Sequence, residues 1–195
     1  MALYPLICNQ YSRNMTKILD LGCGNRKKEG TIGIDINPHT NADIIHDLNI
    51  FPYPFEESTF DEIYADNVIE HLDSPIKVME ELHRISKPGA IIVIKVPYFR
   101  SRYAFLDPTH RHFFTVESFT YFNPEHPHHI LFNYSECIFE TIKIIFDENL
   151  FPKGVRYSIH SILKVFCDKY PAFYEHHLSH LIPLDELTFY LRTIK

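Results

Sequence analysis

The amino-acid sequence predicts an α/β protein organised around a doubly wound, mostly parallel sheet. Three observations carry this. Two short apolar runs, Thr16 to Leu21 and Thr31 to Ile36, have the continuous hydrophobic character of strands buried on both faces. A third run, Ala90 to Val96, is rich in β-branched residues. Between Phe60 and Val96 the pattern reads strand, helix, strand, which is a parallel crossover unit.

Taken in order, the first two strands are followed by a short third at Ala42 to His46 and a fourth at Phe60 to Ala65. After Asp66 to Leu72 comes a helix on which Val78, Met79, Leu82 and Ile85 form an apolar stripe. Ser74-Pro75 supplies its start, a capping hydroxyl and then proline in the first turn. Lys87-Pro88-Gly89 stops the helix ahead of the strand at Ala90 to Val96. Beyond Pro97 lies a long aromatic and histidine-bearing stretch, Tyr98 to Thr115, then a short helix-like piece at Val116 to Phe122 and a polar loop through Asn123-Pro124. Loops of this length usually carry function. Ile138 to Phe146 reads as a strand, Tyr157 to Tyr170 and Ala172 to Leu181 as core-packing helices, and Glu186 to Ile194 as a closing strand. No repeat or low-complexity linker interrupts the chain, so residues 1–195 are expected to form one domain.

With 195 residues, 45% of them hydrophobic, the chain is long enough to bury one core and a ligand crevice. The formal charge of −6 and the scattered basic residues, grouped no more densely than Arg26-Lys27-Lys28, argue against a nucleic-acid partner. Cys8, Cys23, Cys137 and Cys167 form no CxxC pair, so neither a disulfide framework nor a cysteine zinc site is expected. No apolar run approaches the roughly 20 residues of a membrane helix, and Met1 to Tyr11 lacks the basic flank and apolar core of a leader. The expectation is a soluble, cytoplasmic protein.

In an open α/β sheet, ligands bind beyond the carboxyl ends of the strands where strand order reverses, and glycine there lets backbone approach the ligand. Asp20-Leu21-Gly22-Cys23-Gly24 places such a turn after the first strand. An acid ending the second strand can accept from both hydroxyls of a ribose, and Asp35, after Ile32-Gly33-Ile34, holds that position. The dinucleotide fingerprint asks for a further glycine where Lys27 stands and for an acid later than Asp35. A nucleoside pocket therefore fits better than a nicotinamide one.

Ile18-Leu19-Asp20-Leu21-Gly22-Cys23-Gly24, Gly33-Ile34-Asp35, Phe60-Asp61-Glu62-Ile63, Asn67-Val68-Ile69-Glu70-His71-Leu72 and Glu81-Leu82-His83-Arg84-Ile85-Ser86-Lys87-Pro88-Gly89 together resemble, in order, the small bacterial type 11 class I methyltransferases. The resemblance implies a Rossmann-like fold and S-adenosylmethionine as cofactor, with S-adenosylhomocysteine as its product. Residues 16–96 would then be the cofactor-binding half and 97–195 the substrate side. By the same resemblance Asp20 and the turn Gly22, Cys23, Gly24 face the methionine end, and Asp35, followed by Ile36, holds the ribose. Asp47-Leu48 brackets the adenine and Asn67 lines the methionine side. Asp47 has a second account, as the cap of the turn before Asn49. Only about nine residues separate the first two strands, fewer than the dozen a crossover helix normally takes. Either that crossover is abbreviated to a turn or the pocket is partly open. Asn25-Arg26 also stands where the family commonly has another glycine.

S-adenosylmethionine carries an activated methyl, so the protein's task is to align an acceptor and exclude water. Asp107-Pro108-Thr109-His110-Arg111-His112 follows the fifth strand, where this fold places acceptor contacts. His110, His112 and Asp107 are accordingly the candidate catalytic residues: imidazole suits a base for a hydroxyl acceptor near neutrality, with Asp107 orienting it, whereas an amine or thiol needs no base. In an extended chain His110 and His112 share one side and Arg111 takes the other. The plainer account is a turn pinned by Asp107 and Thr109 with histidines at the surface. Glu70-His71 is read as packing beneath the site and Glu125-His126-Pro127-His128-His129 as a solvated loop, so no metal site is assigned. The expected function is direct in-line methyl transfer to an acceptor, a small molecule in the first instance. A non-catalytic binding or scaffolding module on the same fold stays open as the alternative, and an aminopropyl-transferring relative as a third.

Overall fold

Seven strands form one sheet in the computed structural model, which describes residues 16–147 and 164–195. They are β1 (Ile18–Leu21), β2 (Ile32–Asp35), β3 (Ile44–Ile45), β4 (Phe60–Asp66), β5 (Ser86–Pro97), β6 (Ile138–Asp147) and β7 (Glu186–Ile194). Their order is β3-β2-β1-β4-β5-β7-β6. The first five are parallel, and β7 lies antiparallel between β5 and β6. The chain runs outward from β1 through β2 to β3 and then returns to the other side of β1. That reversal opens a crevice beyond the carboxyl ends of β1 and β4.

The continuous apolar strands are buried as their composition requires. Leu19 and Leu21 are fully buried and Asp20, between them, faces the opposite side of the sheet at 2% exposure. Ile92, Ile94 and Val96 of β5 are likewise fully buried, and Ile92 and Ile94 pair across the sheet with Leu191 and Phe189 of β7. Helix α1 (Pro75–Ile85) makes the β4 to β5 crossover; Ser74 Oγ accepts from the Lys77 N–H at 3.4 Å and Pro75 opens the first turn. Its Val78, Met79, Leu82 and Ile85 are fully buried, each contributing about 1.5–3 kcal/mol of apolar burial.

The Lys87-Pro88-Gly89 signal ends the helix without delaying the strand, because β5 starts at Ser86, ahead of the expected Ala90. Gly89 takes φ +78°, and the register with β4 shifts between Phe60 and Glu62, so an irregularity absorbs the tripeptide. Ser86 Oγ lies 2.9 Å from Thr193 Oγ1, which anchors the strand start to β7.

The first crossover contains no helix: residues 22–31 are turns and irregular chain. This loop covers the sheet with its own side chains. A Cβ on Gly33 would come within 2.5 Å of Lys27 Cδ and 2.7 Å of Cys23 Sγ. Lys27 Nζ then reaches Asp43 at 2.8 Å, and Asp43 Oδ2 accepts from the Gly33 N–H at 2.7 Å. These bonds hold the Asp43 carboxyl below the usual carboxylate range, the Gly33 N–H contributing most.

On the substrate side, α2 (Tyr103–Leu106) is a single turn, and only Thr120–Phe122 of the Val116 to Phe122 piece is helical, as a 3-10 turn. The expected loop at Glu125 to His129 instead starts α3 (Pro127–Phe132). Pro127 opens the first turn, His126 Nδ1 accepts from the His128 N–H at 3.2 Å, and Asn133 closes the helix at φ +44°. Residues 164–169 are helical and lead to α4 (Pro171–His177), shorter than the expected Ala172 to Leu181. The expected helix from Tyr157 lies, over 157–163, outside the described residues. Among the described residues no helix is long and apolar enough to cross a membrane.

Candidate functional site

At the reversal point the chain leaves β1 through Gly22, whose φ of +63° and contact with Val68 demand glycine: a Cβ there would sit 2.5 Å from Val68 Cγ2. The N–H groups of Gly22 and Cys23 both donate to Ile34 O, at 2.8 and 3.3 Å, tying the turn to β2. Asp35, at the end of β2, accepts from the Gly24 N–H through Oδ2 and from the Asn37 N–H through Oδ1, each at 2.8 Å. Each oxygen keeps a further lone pair, so the carboxylate is fixed in orientation and still able to accept from a ligand.

Gly22, Asp35, Ile36, Asp47, Leu48 and Asn67 line one cleft of about 320 Å³, at the low end of small-molecule sites. Ile36 is 60% exposed beside the Asp35 carboxylate, an apolar surface next to a polar anchor. Asp47 Oδ1 accepts from the Asn49 N–H at 2.9 Å, so this residue caps its turn and lines the cleft as well.

Asp20, Cys23 and Gly24 do not line that cleft. Asp20 Oδ2 accepts from the Lys28 N–H at 2.7 Å, and Lys28 Nζ stands 3.7 Å from Asp20, 3.6 Å from Asp66 and 4.9 Å from the centre of the Tyr64 ring. The Cys23 thiol turns onto Gly33, and burial, with Asp20 and Asp35 nearby, pushes its pKa up. Asp20 and Cys23 thus hold the shape of the loop that replaces the first crossover helix, while Gly24 holds Asp35.

A second cleft, of about 460 Å³, adjoins the first. Asn67 and His71 stand in the walls of both. Asn67 follows β4 at φ +53°, a conformation Asn tolerates better than most residues. Its Nδ2 donates to Asp66 Oδ1 and Glu186 Oε1 at 3.1 Å each, and its Oδ1 is buried without a partner.

His110 and Asp107 line this second cleft, and His112 does not. His110 Nδ1 lies 3.0 Å from Ala104 O, whereas His112 Nε2 lies 2.9 Å from Leu72 O. The two imidazoles therefore do not share a functional side. The cause is local: the N–H groups of Arg111 and His112 both donate to Glu70 O, at 2.8 and 3.3 Å, which folds this segment against the 3-10 turn Ile69–His71. Arg111 also pairs with Asp73. His112 is a tether.

Asp107 acts at one remove. Its Oδ1 accepts from both the Thr109 N–H and the Thr109 hydroxyl, at 2.8 and 2.7 Å, and Thr109 Oγ1 lies 2.9 Å from His71 Nδ1. The Thr109 bonds hold the Asp107 carboxyl below its usual range. The His71 and His110 rings meet edge to face, centroids 4.7 Å apart. Burial, reinforced by His110, holds the His71 pKa down.

Glu70 and His71, expected to pack beneath the site, open onto it. Glu70 is fully buried, neither carboxylate oxygen has a partner, and burial raises its pKa to about 8, with Asp66, Glu186 and Asp107 adding to the rise. Arg26 and the ion pair of Lys95 with Glu186, 2.7 Å apart, complete the polar wall. Sequence reasoning assigned none of these five positions, Glu70, His71, Arg26, Lys95 and Glu186, to the site. The usable signal was that Glu70 and His71 follow directly on the carboxyl end of β4, at the reversal point.

A family model described as a methyltransferase domain matches residues 8–133, more than half of the chain. An uncharacterized methyltransferase of Schizosaccharomyces pombe is 36% identical over 47 residues, 24% of this chain and 17% of that protein. A demethylmenaquinone methyltransferase of Lysinibacillus sphaericus is 26% identical over 101 residues, 49% of this chain and 37% of its own length. The chain thus matches well under half the length of either curated relative. Among solved structures, an S-adenosylmethionine-dependent methyltransferase from Archaeoglobus fulgidus superposes with a TM-score of 0.50 at 19% identity, covering 94% of this chain and 88% of that one. Family match and sheet order together place the chain in the methyltransferase-domain family, with the class I fold whose members use S-adenosylmethionine.

Proposed function

We propose that this protein transfers a methyl group from S-adenosylmethionine directly to a small-molecule acceptor, with the cofactor in the first cleft and the acceptor in the second. The observation that carries this reading is the shared wall: Asn67 and His71 border both clefts, so ligands in the two would meet there. The residues of the first cleft fit the cofactor. Asp35 offers free lone pairs to ribose hydroxyls, exposed Ile36 and buried Leu48 offer apolar surface to a base, and Asp47 stands beside them. The buried Asn67 Oδ1 lacks a donor, which an amino group at the methionine end would supply.

S-adenosylmethionine supplies, when bound, a methyl group already activated on a sulfonium. The chain's own task is to position and to manage a proton. Asp35 and the Gly22 turn fix one ligand, and the wall of Asn67, Glu70, His71 and His110 faces the other. His110 Nδ1 donates to Ala104 O, which leaves Nε2 able to accept a proton from an acceptor hydroxyl. Asp107 works through Thr109 on His71, a positioning role.

The reading is tested by incubating the protein with methyl-labelled S-adenosylmethionine and a panel of small hydroxyl, amine and thiol acceptors. Labelled product is expected from the wild type, at least about tenfold less from His110→Ala when the acceptor is a hydroxyl, and none from Asp35→Ala. Cofactor binding without transfer to any small acceptor would instead favour the non-catalytic module.

A further inference from the structure

We propose that Glu70, His71 and His110 form a three-ligand site for a divalent transition metal, Zn²⁺ being the best match, with its open coordination facing the second cleft. One ligand atom from each residue lies within 4.8 Å of the others. The independent pointer is Glu70. Its side chain has no exposed surface, lines the cleft, and has two carboxylate oxygens that nothing in the described protein satisfies. A buried carboxyl without partners is costly, and although Lys95 already pairs with Glu186 and Lys28 with Asp66, neither oxygen of Glu70 is reached by a cation, so a metal ion held between it and the two imidazoles would satisfy it.

The hydrogen bonds around the two imidazoles use Nδ1 of each ring and leave Nε2 to ligate. A backbone carbonyl can only accept, so His110 Nδ1, 3.0 Å from Ala104 O, carries the proton and Nε2 keeps its lone pair. The Thr109 hydroxyl gives its hydrogen to Asp107, so His71 Nδ1 donates to Thr109 Oγ1, and His71 Nε2 keeps its lone pair too. A carboxylate or carbonyl behind each ligating histidine is how metal sites orient imidazole.

Two imidazoles and one carboxylate suit Zn²⁺ far better than Mg²⁺ or Ca²⁺, which take oxygen ligands. Three protein ligands leave a position for water or an oxygen of a bound molecule. Bonds of about 2.1 Å in tetrahedral geometry bring ligand atoms to about 3.4 Å apart, so metal uptake would close the widest pair by up to about 1.4 Å. With the ion in place the His110 Nε2 lone pair is committed to the metal, so the base role given to His110 above belongs to the metal-free site. That last consequence rests on the proposed methyl transfer; metal uptake does not.

The test uses the full chain stripped with chelator and titrated with Co²⁺, read by visible absorption, then with Zn²⁺ as competitor, without cofactor or acceptor. Equimolar uptake with the bands of low-coordinate Co²⁺ and displacement by Zn²⁺ is expected. Glu70→Gln and His110→Ala should each lower affinity at least about tenfold, with circular dichroism confirming the fold. The double variant His126→Ala, His128→Ala removes a histidine pair outside the site, whose rings are 4.6 Å apart, and should bind like the wild type. Glu70→Gln keeps the shape of the side chain and removes the carboxylate ligand, so it decides the matter if His110→Ala does not fold. No uptake by the wild type, or uptake unchanged in Glu70→Gln, overturns the site.

Discussion

Glu70→Gln should make the protein more stable in a strongly pH-dependent way when metal is excluded. In the folded chain burial raises the Glu70 pKa from the ordinary 4.5 to about 8. Between those values the native state holds a proton that the unfolded state has released, so stability falls as pH rises, by about 1.4 kcal/mol per pH unit. The stability is fully present below 4.5 and its loss is complete at about 8, where the accumulated penalty reaches about 5 kcal/mol as an upper bound. Water drawn to the ionised carboxylate through the adjoining cleft lowers that figure, so about 2–5 kcal/mol is expected. Gln has the same shape and does not ionise. Urea unfolding of both proteins in chelator, at steps from about pH 5 to pH 8, should give nearly equal stability at the acid end. The variant should then pull steadily ahead toward the alkaline end. A constant difference across the range would show that Glu70 is not buried as a neutral acid and would refute the reasoning.

The two turn glycines should respond differently. Gly22→Ala meets both the left-handed backbone and Val68 at 2.5 Å, and should cost about 2–5 kcal/mol in urea unfolding while closing the first cleft. Gly24→Ala, with φ +52° and open space around its Cβ, should cost only about 1–2 kcal/mol; equal costs would contradict the packing described. His112→Ala should lower stability by about 1 kcal/mol through loss of its bond to Leu72 O and leave transfer rates intact. A large rate loss without destabilisation would return His112 to the site.

The sheet was legible because its strands are buried on both faces and so carry unbroken apolar runs. Glu186 to Ile194 and the α1 stripe are where the pattern places them. The ends of α1 and β5 were harder, since Lys-Pro-Gly marks a helix stop whether the next residues bulge into a strand or form a loop. The helix at Pro127–Phe132 was hidden because its residues are all exposed or half-buried and leave no core stripe to read. Asp35, named from the end of the second strand, and Ile36, Asp47 and Asn67, named through the resemblance, are brought together in the first cleft. Of the second cleft's wall Asn67, Asp107 and His110 were named from the sequence, but Arg26, Glu70, Lys95 and Glu186 are brought to it from positions far apart in the chain and were not. His112 misled for a related reason: alternation places a side chain only where the backbone is extended, and the bonds to Glu70 O bend it here.

The most direct test of the account is calorimetric titration of the purified protein with S-adenosylmethionine and S-adenosylhomocysteine, wild type against Asp35→Ala. Both ligands should bind the wild type, and the variant should lose roughly tenfold or more in affinity, the worth of about 1.5–3 kcal/mol for hydrogen bonds to a charged acceptor. Folded wild-type protein that binds neither ligand, or a variant that binds as tightly as the wild type, would contradict the assignment of the first cleft.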